Sequence, residues 1–145
     1  MNRICYIGRN IWVGSQAQCD HRPRDFSGVL HIVSVGQAPC EGTGPTDLVE
    51  TMTEKIPLGL ERIERIAQWA ASPQERPILI HCGAGMCRSP TAAIVALVAR
   101  GEQPGIAMGD IAQAMWTQYV DDPITPWWEH AVMQEIFHWA RNRKR

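Results

Sequence analysis

The chain has 145 residues, of which 45% are hydrophobic and 20% charged, and its formal net charge is −1. This length favours one domain, spanning residues 1–145, with a single core. The near-zero charge gives no sign of binding to nucleic acid or to a membrane surface. No apolar run approaches the roughly 20 residues that a bilayer-spanning helix needs. The N-terminal segment lacks the apolar stretch of a secretion signal. We therefore expect a cytoplasmic protein with no membrane association.

The cysteines give no sign of a disulfide framework or of a metal site. They lie far apart in the sequence, with no Cys-x-x-Cys pair, which favours reduced thiols. A zinc site is not expected, because Cys19 and His21 have no second pair of ligands at a suitable spacing. No metal or other cofactor is therefore predicted. The cysteines are Cys5, Cys19, Cys40, Cys82 and Cys87.

The first half of the chain predicts two strands, a long loop and a helix. Residues 10–15 predict a short strand that ends at Gly14, and residues 28–36 predict a β-branched strand with a glycine at each end. Residues 37–47 are rich in Gly, Pro and Thr and predict a loop of the kind that often carries function. From Leu58 the apolar spacing becomes helical, and the helix is expected to end before Pro73. Its predicted apolar face comprises Leu60, Ile63, Ala67 and Ala70.

The second half begins with a strand followed directly by a helix. Residues 77–82 are apolar without alternation, as in a parallel strand that is buried on both faces. Ser89 is a suitable N-cap, Pro90 suits the first helical position, and Gly101 suits the residue after the helix. This strand–loop–helix unit predicts a ligand crevice between residues 82 and 89.

Two further helices are predicted near the C-terminus, one over 110–119 and one beginning at Thr125-Pro126. The apolar face of the second comprises Trp128, Val132, Ile136 and Trp139. The order of elements predicts an α/β fold in which a central, mostly parallel sheet is flanked by helices.

The loop between the strand and the helix has the composition of a phosphate-binding cradle. A helix N-terminus presents main-chain N–H groups and a partial positive charge to an anion. Gly83 and Gly85 allow the backbone to turn successive N–H groups inward. Arg88 adds a planar fork of donors that suits two phosphate oxygens. The expected substrate-binding residues are Gly83, Ala84, Gly85, Met86, Cys87 and Arg88.

Cys82 stands at the start of this cradle and is predicted to be a nucleophile. The N–H groups, the helix N-terminus and the guanidinium would stabilise its thiolate. Ser89 is placed to hydrogen-bond the sulfur and help it to leave. His81 is expected to orient the loop through a hydrogen bond between its ring and the backbone, and not to act as a base.

These residues carry a resemblance to a known family. His81-Cys82-x-Ala84-Gly85-x-x-Arg88-Ser89 resembles the signature of cysteine-dependent protein phosphatases, and in particular their compact dual-specificity branch. The similarity extends weakly over residues 10–139, including "NIWVGSQAQ", "GVLHIVSV" and "ITPWWEHAVMQEIF". The resemblance implies hydrolysis of phosphomonoesters through a phosphocysteine intermediate, without a metal.

The same loop is also similar to that of low-molecular-weight tyrosine phosphatases, through Cys82-x4-Cys87-Arg88-Ser89-Pro90. That class places the loop after its first strand, whereas here a strand–helix–strand region precedes it, so chain order favours the dual-specificity type. Cys87 is either a thiol that protects Cys82 as a disulfide or a small packing residue.

The general acid that the family supplies is not evident. Family members carry an aspartate about thirty residues before the cysteine, after an Ile-Pro-x-x-Asp phrase, but here the sequence is Ile56-Pro57-Leu58-Gly59-Leu60. Asp47 is the first candidate by loop character, although it could equally be a helix N-cap. The alternative acids are Glu50, Glu54, Asp121 and Asp122.

The sequence therefore predicts a monomeric phosphatase that acts on a phosphorylated protein or another phosphomonoester. Nucleic acid is not an expected partner, although an RNA 5′-phosphate stays open as a substrate. Two alternatives remain: a non-catalytic phosphate-binding module, or a thiol enzyme of the rhodanese or arsenate-reductase kind. A papain-like pairing of Cys82 with His130 or His138 is disfavoured because it gives Arg88 no role.

Overall fold

The computed structural model describes residues 4–15, 26–33, 46–52, 57–71, 76–82, 88–118 and 128–143. Within these ranges the strands are β1 Ile4–Gly8, β2 Ile11–Ser15, β3 Gly28–Val33, β4 Leu48–Thr51 and β5 Ile78–Cys82. The helices are α1 Leu60–Ala71, α2 Arg88–Ala99, α3 Pro104–Gln118 and α4 His130–Asn142.

The strands form one five-stranded sheet in the order β1-β2-β5-β3-β4. Only β1 and β2 pair antiparallel, and the other three pairings are parallel. The predicted α/β class with a central, mostly parallel sheet is confirmed. β5 lies in the middle of the sheet, and all five of its residues are buried, as its unbroken apolar sequence predicted.

The core lies between this sheet and helix α2. Ten consecutive residues of α2, from Ser89 to Val98, are buried, and the helix packs on β2 and β5 with α1 and α3 beside it. At the end of α2, Gly101 has a φ of 102°. Its N–H reaches the carbonyl of Val98 at 3.0 Å, and Glu102 N–H reaches that of Leu97 at 3.0 Å. This Schellman arrangement confirms the predicted helix end.

Two strands were not anticipated from the sequence. β1 is joined to β2 by a tight turn in which Arg9 and Asn10 have φ values of 50° and 59°, as the twist of a two-residue hairpin requires. β4 occupies a segment whose alternative interpretation was a helix capped by Asp47. That interpretation is wrong, because Leu48–Thr51 pairs in parallel with β3. Strand β3 ends at Val33, and the predicted extension to Gly36 lies outside the described residues.

The helices differ in detail from their predicted bounds. Leu60, which was expected on the buried face of α1, is 62% exposed, whereas Ile66 is fully buried. The buried face of α1 is therefore rotated from the predicted one. The main-chain N–H groups of Leu58 and Gly59, just before α1, donate to the Glu135 carboxylate at 2.6 and 2.8 Å. Helix α3 begins before the expected residue 110, and helix α4 begins after the expected residue 125.

Candidate active site

Cys82 lies where β5 ends, facing the first turn of α2. Parallel pairing places Gly14 of β2 opposite His81 and Ser15 opposite Cys82. The side chain of Cys82 is buried, and Ser89 in the first turn of α2 is fully buried beside it. Helix α2 starts at Arg88, one residue before the predicted N-cap, which is within the usual variation of helix boundaries. The predicted junction of strand and helix therefore brings Cys82 and Ser89 together.

The sulfur of Cys82 receives two contacts from Ser89. The hydroxyl oxygen lies 3.0 Å from the sulfur, and the main-chain N–H of Ser89 donates to the sulfur at 3.4 Å. The hydroxyl oxygen is also 3.5 Å from the carbonyl of Gly14. The hydroxyl has one proton to give. When the thiol is protonated it can donate to Ser89, whose own proton then turns to Gly14. When the sulfur is a thiolate, the Ser89 hydroxyl can turn and donate to it.

Arg88 begins helix α2 and is half-buried. It directly precedes Ser89 and follows the segment that sequence reasoning assigns to phosphate binding. The intervening residues Gly83, Ala84, Gly85, Met86 and Cys87 lie outside the described residues, as do Glu54, Asp121 and Asp122. The predicted phosphate-binding loop and the Cys82–Cys87 disulfide stay predictions.

The carboxylate of Asp47 is engaged by two groups of strand β3. The side chain of Asp47 is fully buried. One of its carboxylate oxygens lies 3.1 Å from the ring Nε2 of His31. The other oxygen accepts the main-chain N–H of Val29 at 3.0 Å. Both oxygens of Asp47 are therefore engaged within the β3–β4 side of the sheet.

Glu50, the next candidate acid along the chain, is also buried and engaged. Arg65 of α1 donates to its two oxygens at 2.8 and 2.9 Å, and Arg62 Nε lies 3.5 Å from one of them. Hydrogen bonding to Glu50 is the main cause that raises the pKa of Arg65. This bidentate pair ties β4 to α1. Arg65 thus pairs with Glu50 across the fold and gives it a structural role.

His81 contacts His31, a histidine of strand β3. Its Nε2 lies 3.0 Å from Nδ1 of His31, and both side chains are buried. Burial, followed by the neighbouring His31, lowers the pKa of His81 to about 4, with Asp47 opposing the shift. His81 is therefore neutral near pH 7. No local sequence pattern predicts this contact. It depends on the parallel register of β3 with β5, which places His31 opposite His81.

Cys5 is a second buried thiol, in strand β1, which lies two strands away from β5 in the sheet. Burial raises its pKa to about 12. A thiol in that state is a poor nucleophile, so Cys5 is a natural reference for the reactivity of Cys82. Within the described ranges, no group of three or more His, Cys, Asp or Glu side chains could hold a metal ion.

No protein-family model matches the chain, and no curated protein matches it by sequence. The similarity lies in solved structures. The structure of Tk-PTP in its active form has a TM-score of 0.70 at 17% identity, covering 97% of each chain. A human tyrosine phosphatase-like serine/threonine/tyrosine-interacting protein has a TM-score of 0.73 at 12% identity, covering 95% of each chain. A mouse putative dual specificity phosphatase, solved with zinc tungstate, has a TM-score of 0.66 at 14% identity over 94% of this chain and 85% of that one.

These structures define the class to which the fold belongs. The chain has the compact fold of the dual-specificity and tyrosine phosphatases, as its sequence resemblance implied. At these identities the likeness establishes the fold. No helix among the described residues has both the length and the apolarity needed to cross a bilayer.

Proposed function

We propose that this protein hydrolyses phosphomonoesters of phosphorylated proteins or similar substrates through a phosphocysteine intermediate at Cys82. The observation that carries the proposal is the pair of contacts from Ser89 to the Cys82 sulfur at the start of helix α2. A main-chain N–H, a hydroxyl and a helix N-terminus favour a negative charge at that sulfur. The phosphatase fold of the structural neighbours supports the same assignment.

The reaction runs in two displacements at phosphorus. The Cys82 thiolate attacks phosphorus, a sulfur–phosphorus bond forms, and the bond from phosphorus to the ester oxygen breaks. An acid protonates the departing oxygen, and water then attacks the phosphocysteine after giving its proton to the conjugate base. The sulfur leaves as a thiolate, which the Ser89 hydroxyl stabilises by turning from the Gly14 carbonyl.

Arg88 and the main-chain N–H groups of residues 83–87 are the proposed binding groups for the phosphate. The three non-bridging oxygens keep their negative charge throughout the displacement, so fixed donors around them contribute a large share of the rate. Arg88 follows Cys82 at the Cys-x5-Arg spacing, and a guanidinium can serve two of these oxygens at once.

The candidates for the general acid are Asp47, Glu50, Glu54, Asp121 and Asp122. Asp47 and Glu50 each have both oxygens engaged in buried pairs. We therefore assign the acid role to Glu54, Asp121 or Asp122. Each is replaced by its amide, with Asp47→Asn measured beside them, and the pH profile of kcat is recorded. The acid is the residue whose replacement removes the basic limb of that profile.

The thiol of Cys87 adds a proposed protective function. Under mild peroxide, a sulfenic acid at Cys82 would condense with Cys87 to give a disulfide and water. Peptide mass spectrometry should then find a Cys82–Cys87 bond that dithiothreitol reverses. A lasting sulfenic or sulfinic acid at Cys82 would instead leave Cys87 with a packing role.

The direct test is hydrolysis of p-nitrophenyl phosphate by wild type, Cys82→Ser and Cys5→Ala. Loss of the nucleophile should reduce turnover by at least about 10⁴-fold, whereas the substitution of Cys5, which lies in β1 at the edge of the sheet, should leave it near wild type. A panel of phosphotyrosine, phosphoserine, phosphoinositide and RNA 5′-phosphate substrates then identifies the substrate class. Turnover by Cys82→Ser equal to that of wild type would refute the mechanism.

A binding function is the second candidate, because both described candidate acids are engaged elsewhere. One structural neighbour is itself named a tyrosine phosphatase-like interacting protein. In that case, wild-type protein should bind phosphopeptides without turning them over. Parallel assays with thiosulfate and arsenate test the thiol-enzyme alternatives. A monomeric state and a cytoplasmic location belong to the proposal and are tested by gel filtration and cell fractionation.

A further inference from the structure

A buried chain of hydrogen bonds leads from the residue before the nucleophile to the far side of the sheet. His81 Nε2 lies 3.0 Å from His31 Nδ1, and His31 Nε2 lies 3.1 Å from Asp47 Oδ2. The other carboxylate oxygen accepts the Val29 N–H at 3.0 Å. His31 and His81 are each 2% exposed, and the Asp47 side chain is fully buried.

The sheet register brings the members of this chain together. β3 and β5 run in parallel with His31 opposite His81, and β3 and β4 run in parallel with Leu30 opposite Leu48. Asp47 directly precedes β4, so its carboxylate meets β3 at His31. The residues that this series of hydrogen bonds joins are far apart in the sequence: His81 and His31 are 50 positions apart, and His31 and Asp47 are 16 positions apart.

One arrangement of protons satisfies all of these contacts. An ionised Asp47 only accepts, so His31 donates from Nε2. In the His31 tautomer that carries only this proton, Nδ1 accepts, and His81 donates from Nε2. Because the pKa of His81 is lowered to about 4, its ring holds one proton near pH 7. That proton is therefore on Nε2, and the buried Nδ1 of His81 is an acceptor.

We propose that His31 and Asp47 are positioning residues for the reaction at Cys82, which act by fixing the tautomer and orientation of the His81 ring. The inference rests on the proposed function, since it assigns these residues to the same nucleophile. His81 adjoins Cys82 at the end of β5. Holding the His81 ring in one tautomer and orientation therefore bears directly on the residue that carries the nucleophilic sulfur.

Asp47→Asn reverses this arrangement while keeping the side-chain shape. The Val29 N–H needs an acceptor, so the amide oxygen of Asn takes that contact and the NH₂ group faces His31. His31 must then accept at Nε2 and donate from Nδ1, which moves the His81 proton to Nδ1. We expect kcat/KM and the alkylation rate of Cys82 to fall about tenfold to 100-fold.

His31 provides a matched pair of variants. In His31→Gln the amide donates to Asp47 while its carbonyl accepts from His81, so the proton order survives and both rates should stay within about threefold of wild type. His31→Leu introduces a side chain of similar size that has neither a donor for Asp47 nor an acceptor for His81. Its kcat/KM and its Cys82 alkylation rate should fall as much as those of Asp47→Asn. Arg65→Gln is the control for a loosened β4, because it weakens the Glu50 tie without touching either histidine.

Two measurements distinguish a positioning role of Asp47 from a purely structural role. ¹⁵N chemical shifts of the histidine rings report which nitrogen of His81 is protonated, and chemical denaturation reports stability. We expect Asp47→Asn to exchange the two His81 ring shifts, and Arg65→Gln to change stability alone. If Asp47→Asn fails to fold, the His31→Gln and His31→Leu pair gives the same comparison.

Unchanged ring shifts in Asp47→Asn, or exchanged shifts with unchanged alkylation and turnover, would overturn the inference. Loss of the basic limb of the kcat profile would also overturn it, because that result makes Asp47 the general acid. Alkylation and ring shifts need no turnover. If they respond as expected in a protein without phosphatase activity, the proposed function fails while the positioning role stands.

Discussion

The two sides of the site differ in how their parts are brought together. On one side, the end of β5 and the start of α2 place Cys82 against Ser89 within a span of eight residues, 82–89. On the other side, His81 meets His31 and Asp47 through the register of three parallel strands. The nucleophile is therefore encoded locally, whereas the groups that orient its neighbour come from distant segments.

Acidification should lower the free energy of unfolding through His81, which belongs to the side of the site that distant segments form. The pKa of His81 is lowered from 6.5 to about 4, mainly by burial and by His31, with Asp47 opposing. Between these values the unfolded chain takes up a proton that the folded protein does not. The free energy of unfolding should therefore fall by about 3 kcal/mol as the pH drops through this window. Denaturant titrations at several pH values measure it.

The control for this prediction is His81→Gln, which keeps a donor toward His31 and removes the titration. Over the same pH window, the free energy of unfolding of His81→Gln should fall by about 3 kcal/mol less than that of wild type. Equal slopes for wild type and His81→Gln would mean that His81 is not the group responsible.

Ser89→Ala should weaken the local side while leaving the histidines intact. The thiolate loses its hydroxyl donor and keeps only the main-chain N–H of Ser89. A hydrogen bond to a charged group contributes about 1.5–3 kcal/mol, so kcat should fall about 10-fold to 150-fold. Steady-state kinetics with p-nitrophenyl phosphate check this, and Ser89→Thr, which retains a hydroxyl, should lose less. Full activity in Ser89→Ala would show that the hydroxyl has no part in the reaction.

Gly28→Ala should disturb the β3–β4 side by a smaller amount. A Cβ at Gly28 would lie 2.7 Å from the carbonyl oxygen of Thr46 and would collide with the Arg76 guanidinium. The backbone next to Asp47 must then shift, and we expect a loss of about 1–2 kcal/mol in the free energy of unfolding.

Gly109→Ala is the matched control. A Cβ there meets nothing within 4 Å, and in the interior of helix α3 alanine should stabilise the protein by about 0.5–1 kcal/mol. Chemical denaturation compares both variants with wild type. A neutral Gly28→Ala would mean that this edge of the sheet is looser than its contacts indicate.

The same contrast explains what the sequence could predict. The unbroken apolar run of β5, the Schellman glycine at 101 and the α/β class follow from short-range patterns, and all are confirmed. β1 and β4 were missed because four or five residues carry too little periodicity to mark a strand. The face of α1 was misjudged at Leu60, since the tilt of a helix depends on tertiary packing.

The candidate site divides in the same way. Cys82 and Ser89 lie in one motif, and their contact could be predicted from it. Asp47 was chosen for its place after a Gly- and Pro-rich loop, and that pattern contains no information about its partner. The pairing of His31 with His81 depends on strand order, which one sequence without its topology does not specify.

The most direct test of the central claim is iodoacetamide alkylation of Cys82 near neutral pH, located by peptide mass spectrometry with Cys5 as the internal reference. A nucleophilic Cys82 at the start of α2 should be alkylated while the buried Cys5 stays unmodified. Tungstate should protect Cys82 if the phosphate cradle is present. Alkylation of Cys82 no faster than that of Cys5, without protection by tungstate, would contradict the account.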